Sequence, residues 1–255
     1  MDQYLAGTVW ALKITFRHGS RDKIFKPATP GKRIPRTASD PVHYNSHMRA
    51  TSCRLWMAVL LCAAAVAQPK SGEWRSMFDG KTLQGWRETA FTQHGKARVE
   101  DGKIVLAPGA PMTGVTWSGD FPKSDYEVRF EAARIAGNDF FASLTFPVGD
   151  SFCTWVTGGW GGDIVGLSSL DGWDASDNET RTYFDFEKGR WYAFRLEVAA
   201  GRVVGWIDDR QIVNVEIGGR KVGRRHGEIQ LSAPFGFASY GTTGALRKIA
   251  YRPMR

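Results

Sequence analysis

The chain is poor in cysteine: three thiols in 255 residues, at positions 53, 62 and 153. That excludes a disulfide-stapled scaffold, so the fold must be held by an apolar core. Long apolar runs are also missing. The apolar stretch Leu55–Ala67 is thirteen residues without a charge, short of the ~20 that span a bilayer, so no permanent membrane span is expected in the mature chain. No stretch carries a 3.6-residue apolar stripe beyond two turns, which leaves little room for helix. The zinc-type Cys/His spacing, the Walker loop, the dinucleotide fingerprint and the nucleophile elbow are all absent, and phosphoryl-transfer, nicotinamide and serine-hydrolase readings lack support.

A charge excess is lacking where it would matter. The formal net charge is +8, which on its own invites a nucleic-acid reading. Residues 1–47 hold eight Lys/Arg against three Asp/Glu, and residues 48–67 add Arg49 and Arg54. Residues 68–255 hold 24 Lys/Arg against 23 Asp/Glu. The main domain is close to neutral, and no nucleic-acid partner is expected for it.

Met48–Arg54 is a short basic stretch, Leu55–Ala67 an apolar one, and Ala65-Val66-Ala67 offers small residues before Gln68. This is the three-part pattern of a secretory signal peptide at 48–67. It predicts a secreted or periplasmic protein and makes residues 1–47, with Pro27, Pro30, Pro35 and Pro41, a spurious or disordered extension preceding the true start. Residues 68–255 then form a single domain, retaining only Cys153. At this size it buries about 70% of the surface its unfolded chain exposes. Cys153 lies in an aromatic run with Phe152 and Trp155 and reads as a small buried side chain.

What is abundant is alternation. Tyr126, Val128 and Phe130 alternate with Glu127, Arg129 and Glu131, and Tyr192, Phe194, Leu196 and Val198 alternate with polar partners. Phe140 to Phe146 follows the same period of two, as do the apolar residues at 212–217, Ile229 with Leu231, and Phe235 with Phe237. Asp101-Gly102, Ala200-Gly201 and Asp208-Asp209 fall between runs as tight turns. Residues 191–217 read as a three-stranded antiparallel meander. The expected fold is all-β, a two-sheet antiparallel jelly-roll sandwich, since this many strands cannot stay in one open sheet.

The middle third breaks the pattern. Gly158-Gly159-Trp160-Gly161-Gly162-Asp163 is too glycine-rich for a plain strand, and Ser168–Thr180 packs four carboxylates, an amide and a tryptophan into thirteen residues. Long loops in compact domains carry function more often than framework. A pyranose ring stacks its apolar face on an aromatic ring and offers hydroxyls to planar polar groups. Trp160 and Trp173 are therefore candidate platforms, with Asp174, Asn178 and Arg181 as polar contacts to a carbohydrate ligand. Asp163 and Glu179 are candidate acid and base for glycoside cleavage. The same carboxylates also allow a calcium loop, though no calcium signature is met, or plain solvated turns. Trp191 and Trp206, inside strong strands, read as core or sheet-face residues, and His226 as a surface loop residue. Asn178-Glu179-Thr180 is formally a glycosylation sequon.

Met77-Phe78-Asp79-Gly80-Lys81-Thr82-Leu83-Gln84-Gly85-Trp86 resembles the opening motif of the 3-keto-disaccharide hydrolase domain family. Val99–Gly102, Asp125–Glu131, Gly137-Asn138, Trp191 and Leu246–Ile249 follow in the family's order, so the resemblance spans about residues 73–252. It implies a concanavalin A-like jelly roll in exported bacterial proteins that cleave 3-keto-glycosides or bind glycans. A 3-keto group acidifies the C2 proton, so cleavage can run by elimination and then hydration. That chemistry uses a base near C2 and an electrophile at the keto oxygen, for which a divalent metal ion would serve. Here Gly137-Asn138 runs into Asp139-Phe140-Phe141 in place of the family's usual Ser-Gly. The resemblance therefore carries the fold across and no catalytic residue. A non-catalytic carbohydrate-binding module and a protein-docking β-sandwich are the alternatives.

Overall fold

The computed structural model describes residues 72–254; residues 48–67, read above as a signal peptide, and residues 1–47, read as an extension, lie outside the described residues. In chain order the strands are β1 (Arg75–Ser76), β2 (Trp86–Glu88), β3 (Ala97–Glu100), β4 (Lys103–Leu106), β5 (Met112–Trp117), β6 (Tyr126–Ala136), β7 (Ser143–Val148) and β8 (Ser151–Gly159). There follow β9 (Ile164–Ser168), β10 (Thr182–Tyr183), β11 (Trp191–Ala199), β12 (Arg202–Ile207), β13 (Arg210–Glu216), β14 (Gly236–Tyr240) and β15 (Thr243–Pro253). One sheet runs β13-β12-β11-β6-β15-β4-β3 with β1 on β15, and the other runs β10-β9-β8-β7-β14-β5-β2; every pairing is antiparallel. This is the two-sheet sandwich that the alternation predicts.

The inner faces interlock through aromatic rings. Phe130 and Phe194 of the first sheet stack at 4.8 Å, and Phe237 and Trp155 of the second meet them edge-on at 4.8 and 5.7 Å. Trp155 is fully buried, and a Cβ on Gly205 would stand 3.1 Å from its ring. Glycine at that point of β12 is what lets the indole fit between the sheets. Cys153 is buried in the same layer, and burial pushes its thiol up to about 12. In the folded protein Cys153 should resist alkylation at neutral pH and become labelled only under denaturant; peptide mapping after iodoacetamide treatment checks this.

The opening motif is explained by structure. The Asp79 carboxylate accepts hydrogen bonds from the backbone N–H groups of Thr82 and Lys81 and from the Thr82 hydroxyl, which hold it below the usual carboxylate range. The Trp86 indole N–H donates to the Met77 carbonyl at 2.7 Å while its ring packs on Trp117, Phe235 and Phe237. The motif is a corner clamp for the sandwich. On the outer face of the eight-stranded sheet, Trp191 and Trp206 are half-buried beneath the Arg247 and Arg195 guanidinium groups, consistent with sheet-face residues.

The outer face of the seven-stranded sheet is not an open trough. Its side chains are small: Thr116, Gly236, Thr145, Thr154 and Ser168 align across five strands in one register row. Thr145 and Thr154 pair through their hydroxyls at 2.9 Å, as buried polar groups must. Over this floor lies a 3₁₀ helix, Glu228–Ser232, and beside it Ala175 of the midsection loop. Phe91, Met112, Phe140, Val156, Ala175, Ile229 and Ala238 make a second small core there.

The run at Ile229 and Leu231, read as a strand, is this 3₁₀ helix. With three residues per turn, Ile229 and Ser232 share the buried side, and Leu231 is 45% exposed. The run at 140–146 enters its strand only at Ser143, because Ala142 sits at φ 51°.

Candidate functional site

Two irregular segments border one groove. The first begins at the β8–β9 turn, where Trp160 adopts φ 50° among Gly158–Gly162. The Arg134 guanidinium, buried between the Phe141 and Phe186 rings, donates to the Gly162 carbonyl at 3.0 Å and the Phe186 carbonyl at 2.7 Å. The Asn138 amide donates to the Gly161 carbonyl at 2.8 Å. These two side chains fix the turn that carries Trp160.

The loop after β9 is fixed from within. The Asn178 amide nitrogen donates to the carbonyls of Leu167, Trp173 and Asp174, and its oxygen accepts from the Thr180 N–H and hydroxyl. Arg181 donates to the Ser176 carbonyl at 2.8 Å. The second segment, Arg220–Gln230, is sewn to this loop. Leu170 bridges Val222, the Asp171 N–H donates to the Lys221 carbonyl, and Arg220 holds both Asp171 and Glu179.

Between the two segments lies a cavity of about 750 Å³ walled by Trp173, Asp174, Lys221, Arg224, His226 and Gln230, within the range of ligand sites. A smaller one, about 230 Å³, is walled by Asp139, Phe140, Trp160, Arg225 and Tyr240. Arg225 lines both: its Nε pairs with Asp174 at 3.0 Å and its guanidinium lies 4.8 Å from the Trp160 ring centre. Trp160, Trp173 and Tyr240 are exposed by 38, 62 and 42%, so the groove presents aromatic surface beside polar groups.

Of the residues singled out in the sequence, Trp160, Trp173 and Asp174 reach this groove. Asn178 and Arg181 line neither cavity: the Asn178 amide is taken up by the loop and β9, and one Arg181 nitrogen holds the Ser176 carbonyl. Asp163 and Glu179 are not brought to one bond. Asp163 gives its carbonyl to the Phe184 N–H, and its charge acts on Arg134 behind the turn. Glu179 is paired with Arg220 and lines a different cavity beside β13. Asn178 and Thr180 flank Glu179 and hydrogen-bond to Leu167, four residues along from Asp163. At ~3.3 Å per residue the two backbones stand about 13 Å apart along β9, and the side chains have different surroundings, Asp163 acting on Arg134 and Glu179 held by Arg220. The residues missed are Lys221, Arg224, Arg225, His226 and Gln230. Their sequence signal was the run Arg220-Lys221 and Arg224-Arg225-His226 beside a segment without clean alternation.

The hydrogen bonds and charge of Arg220 hold Asp171 and Glu179 below the ordinary carboxylate range. A depressed carboxylate stabilises the fold above its unfolded value and loses that contribution as pH falls through the folded one. Amide exchange in residues 171–179 should therefore accelerate below about pH 4, ahead of the core strands, and Arg220→Gln should show the faster exchange already at neutral pH.

The model of the 3-keto-alpha-glucoside-1,2-lyase-like domain matches residues 73–252. The chain belongs to that family. No curated protein matches the lyase-like domain in sequence. Among solved structures, a Bacillus subtilis protein with a galectin-like fold has TM-score 0.51 at 11% identity, covering 72% of this chain and 97% of that one. The Bacillus subtilis carbohydrate-binding module CBM66 has 0.45 at 13%, covering 66% and 95%. The Crh5 transglycosylase in complex with NAG has 0.48 at 12%, covering 72% and 84%. The galectin-like neighbour shares the sandwich fold, and the lyase-like domain is of a carbohydrate-active family. Among the described residues no three His, Cys, Asp or Glu side chains cluster as metal ligands, and the loop carboxylates Asp171, Asp174 and Glu179 are already neutralised by arginines. The described donor set does not fit a divalent metal centre.

Proposed function

We propose that the lyase-like domain binds a glycan in the groove between the Leu170–Arg181 loop and the Arg220–Gln230 segment and cleaves a 3-keto-glycoside there. The observation that carries this is one imidazole, His226, in the same cavity wall as the exposed Trp173 ring. With the sugar stacked on Trp173, His226 takes the C2 proton that the keto group acidifies. The C–H electron pair forms the C1–C2 double bond, the C1–O bond breaks, and the departing alkoxide takes its proton from the His226 imidazolium and leaves as the alcohol. Water then adds across the double bond. The Gln230 amide, in the same wall, is the hydrogen-bond donor for the keto oxygen. Export through the 48–67 segment belongs to the same proposal, as glycans of this kind are met outside the cell.

A second reading is a binding module without turnover. It is favoured by the ion pairs that occupy Asp171, Asp174 and Glu179, which leave few free acids near the groove. Incubating the full chain with 3-keto-cellobiose and with cellobiose separates the two. Loss of the keto sugar alone is the expected result; binding of either sugar with no turnover selects the module; no binding and no turnover removes both readings.

A further inference from the structure

We propose that the sugar taken by this groove carries a carboxylate: the ligand is a hexuronate-bearing glycoside, with its ring on Trp173 and its acid group on Arg224 and Lys221. The inference deepens the glycan reading above and rests on it.

The platform comes first. Outside the core, Trp74, Trp160, Trp191 and Trp206 each carry an arginine guanidinium over the ring, at 4.1, 4.8, 4.0 and 3.5 Å from the centroid. Trp173 carries none among the described residues and is 62% exposed. It is the indole whose face is left for a ligand. The sugar ring that stacks there lies within the same cavity wall as Lys221 and Arg224.

Charge comes second. Three of the loop's four acids are already paired: Arg220, outside the cavity, holds Asp171 and Glu179, and Arg225 holds Asp174. Among the described residues, neither the Lys221 ammonium nor the Arg224 guanidinium has a carboxylate within 4.0 Å. The Arg224 guanidinium lies over the Phe152 ring at 5.7 Å, which steadies it without neutralising it. Asp177 is the remaining acid of the wall, exposed and accepting the Ser176 hydroxyl at 2.7 Å. Two free cations face one acid, so the cavity carries a positive excess beside its aromatic platform although the domain as a whole is near neutral. A neutral glycan would leave that excess uncompensated. A uronate offers Arg224 a planar two-oxygen acceptor, the geometry a guanidinium binds best, and its charge also draws on Lys221.

The test is calorimetric titration of the full chain with cellobiose and with cellobiouronic acid, its counterpart oxidised at C6, at low and high salt. The acid should bind roughly tenfold or more tightly at low salt, the ratio should shrink as salt is raised, and in the double variant Lys221→Gln, Arg224→Gln it should fall to near unity. Thermal melts of the variant confirm that these exposed substitutions leave the fold intact. Equal affinity for the two sugars overturns the inference and leaves the glycan reading standing. A preference for the acid that survives the double variant also overturns it, since the carboxylate is then read elsewhere. If neither sugar binds, the glycan reading falls, and this inference with it.

Discussion

In a His226→Asn variant, turnover of a 3-keto-glycoside is expected to fall by about 10²–10⁴-fold while the substrate still binds. Asparagine keeps a polar side chain of similar reach but cannot accept and release a proton near neutral pH. The loss corresponds to about 3–5 kcal/mol of barrier, and it should appear in kcat with little change in KM, because Trp173 and the cations that hold the sugar are untouched. Asp163→Asn, by contrast, should leave turnover near that of the wild type, since Asp163 lines neither of the two cavities that form the groove. Steady-state kinetics on the pair distinguishes them. A His226→Asn protein with unaltered kcat would remove the imidazole from the reaction.

The second large effect is on stability. Arg134 is buried, with its guanidinium between Phe141 and Phe186 and two of its nitrogens on the carbonyls of Gly162 and Phe186. Burial pulls its pKa below the ordinary guanidinium value, partly offset by Tyr192, Asp139 and Asp163. Arg134→Met keeps the volume but strips both carbonyls of their donor, at about 1–3 kcal/mol each. Relief of the buried cation's desolvation works the other way, so a net cost of about 3 kcal/mol is expected. In a domain of this size that is a drop of roughly 6–12 °C in Tm, read by calorimetry. The same substitution frees the turn that carries Trp160, so glycan affinity should fall as well, which a purely structural residue far from the groove would not produce.

How much of this was legible in the chain follows from what alternation encodes. The meander over 191–217 appears as β11, β12 and β13, with Ala200 and Gly201 at φ 50° and 73° in its first turn. Asp101-Gly102, at φ 45° and 74°, likewise turns β3 into β4. Strands and tight turns are set within a few residues, so the period of two and the turn residues suffice. The groove is different. Its two walls are about fifty residues apart and meet through Leu170 with Val222 and Arg220 with Asp171, contacts that no local period records. Asp163 and Glu179 looked paired because both are acidic and flank the irregular midsection. The β9 register then sets them apart, and Arg220 claims one of them. Ile229 and Leu231 imitate a strand because two apolar residues at i and i+2 cannot by themselves distinguish an extended segment from one turn of 3₁₀ helix.

The measurement that bears most directly on this account is a crystal structure of the His226→Asn protein soaked with 3-keto-cellobiose. The account predicts a sugar ring stacked on Trp173, its C2 facing position 226 and its polar edge toward Gln230. A sugar seated instead in the cavity of about 500 Å³ beside Trp74 and Arg129, on the outer face of the eight-stranded sheet, would contradict it.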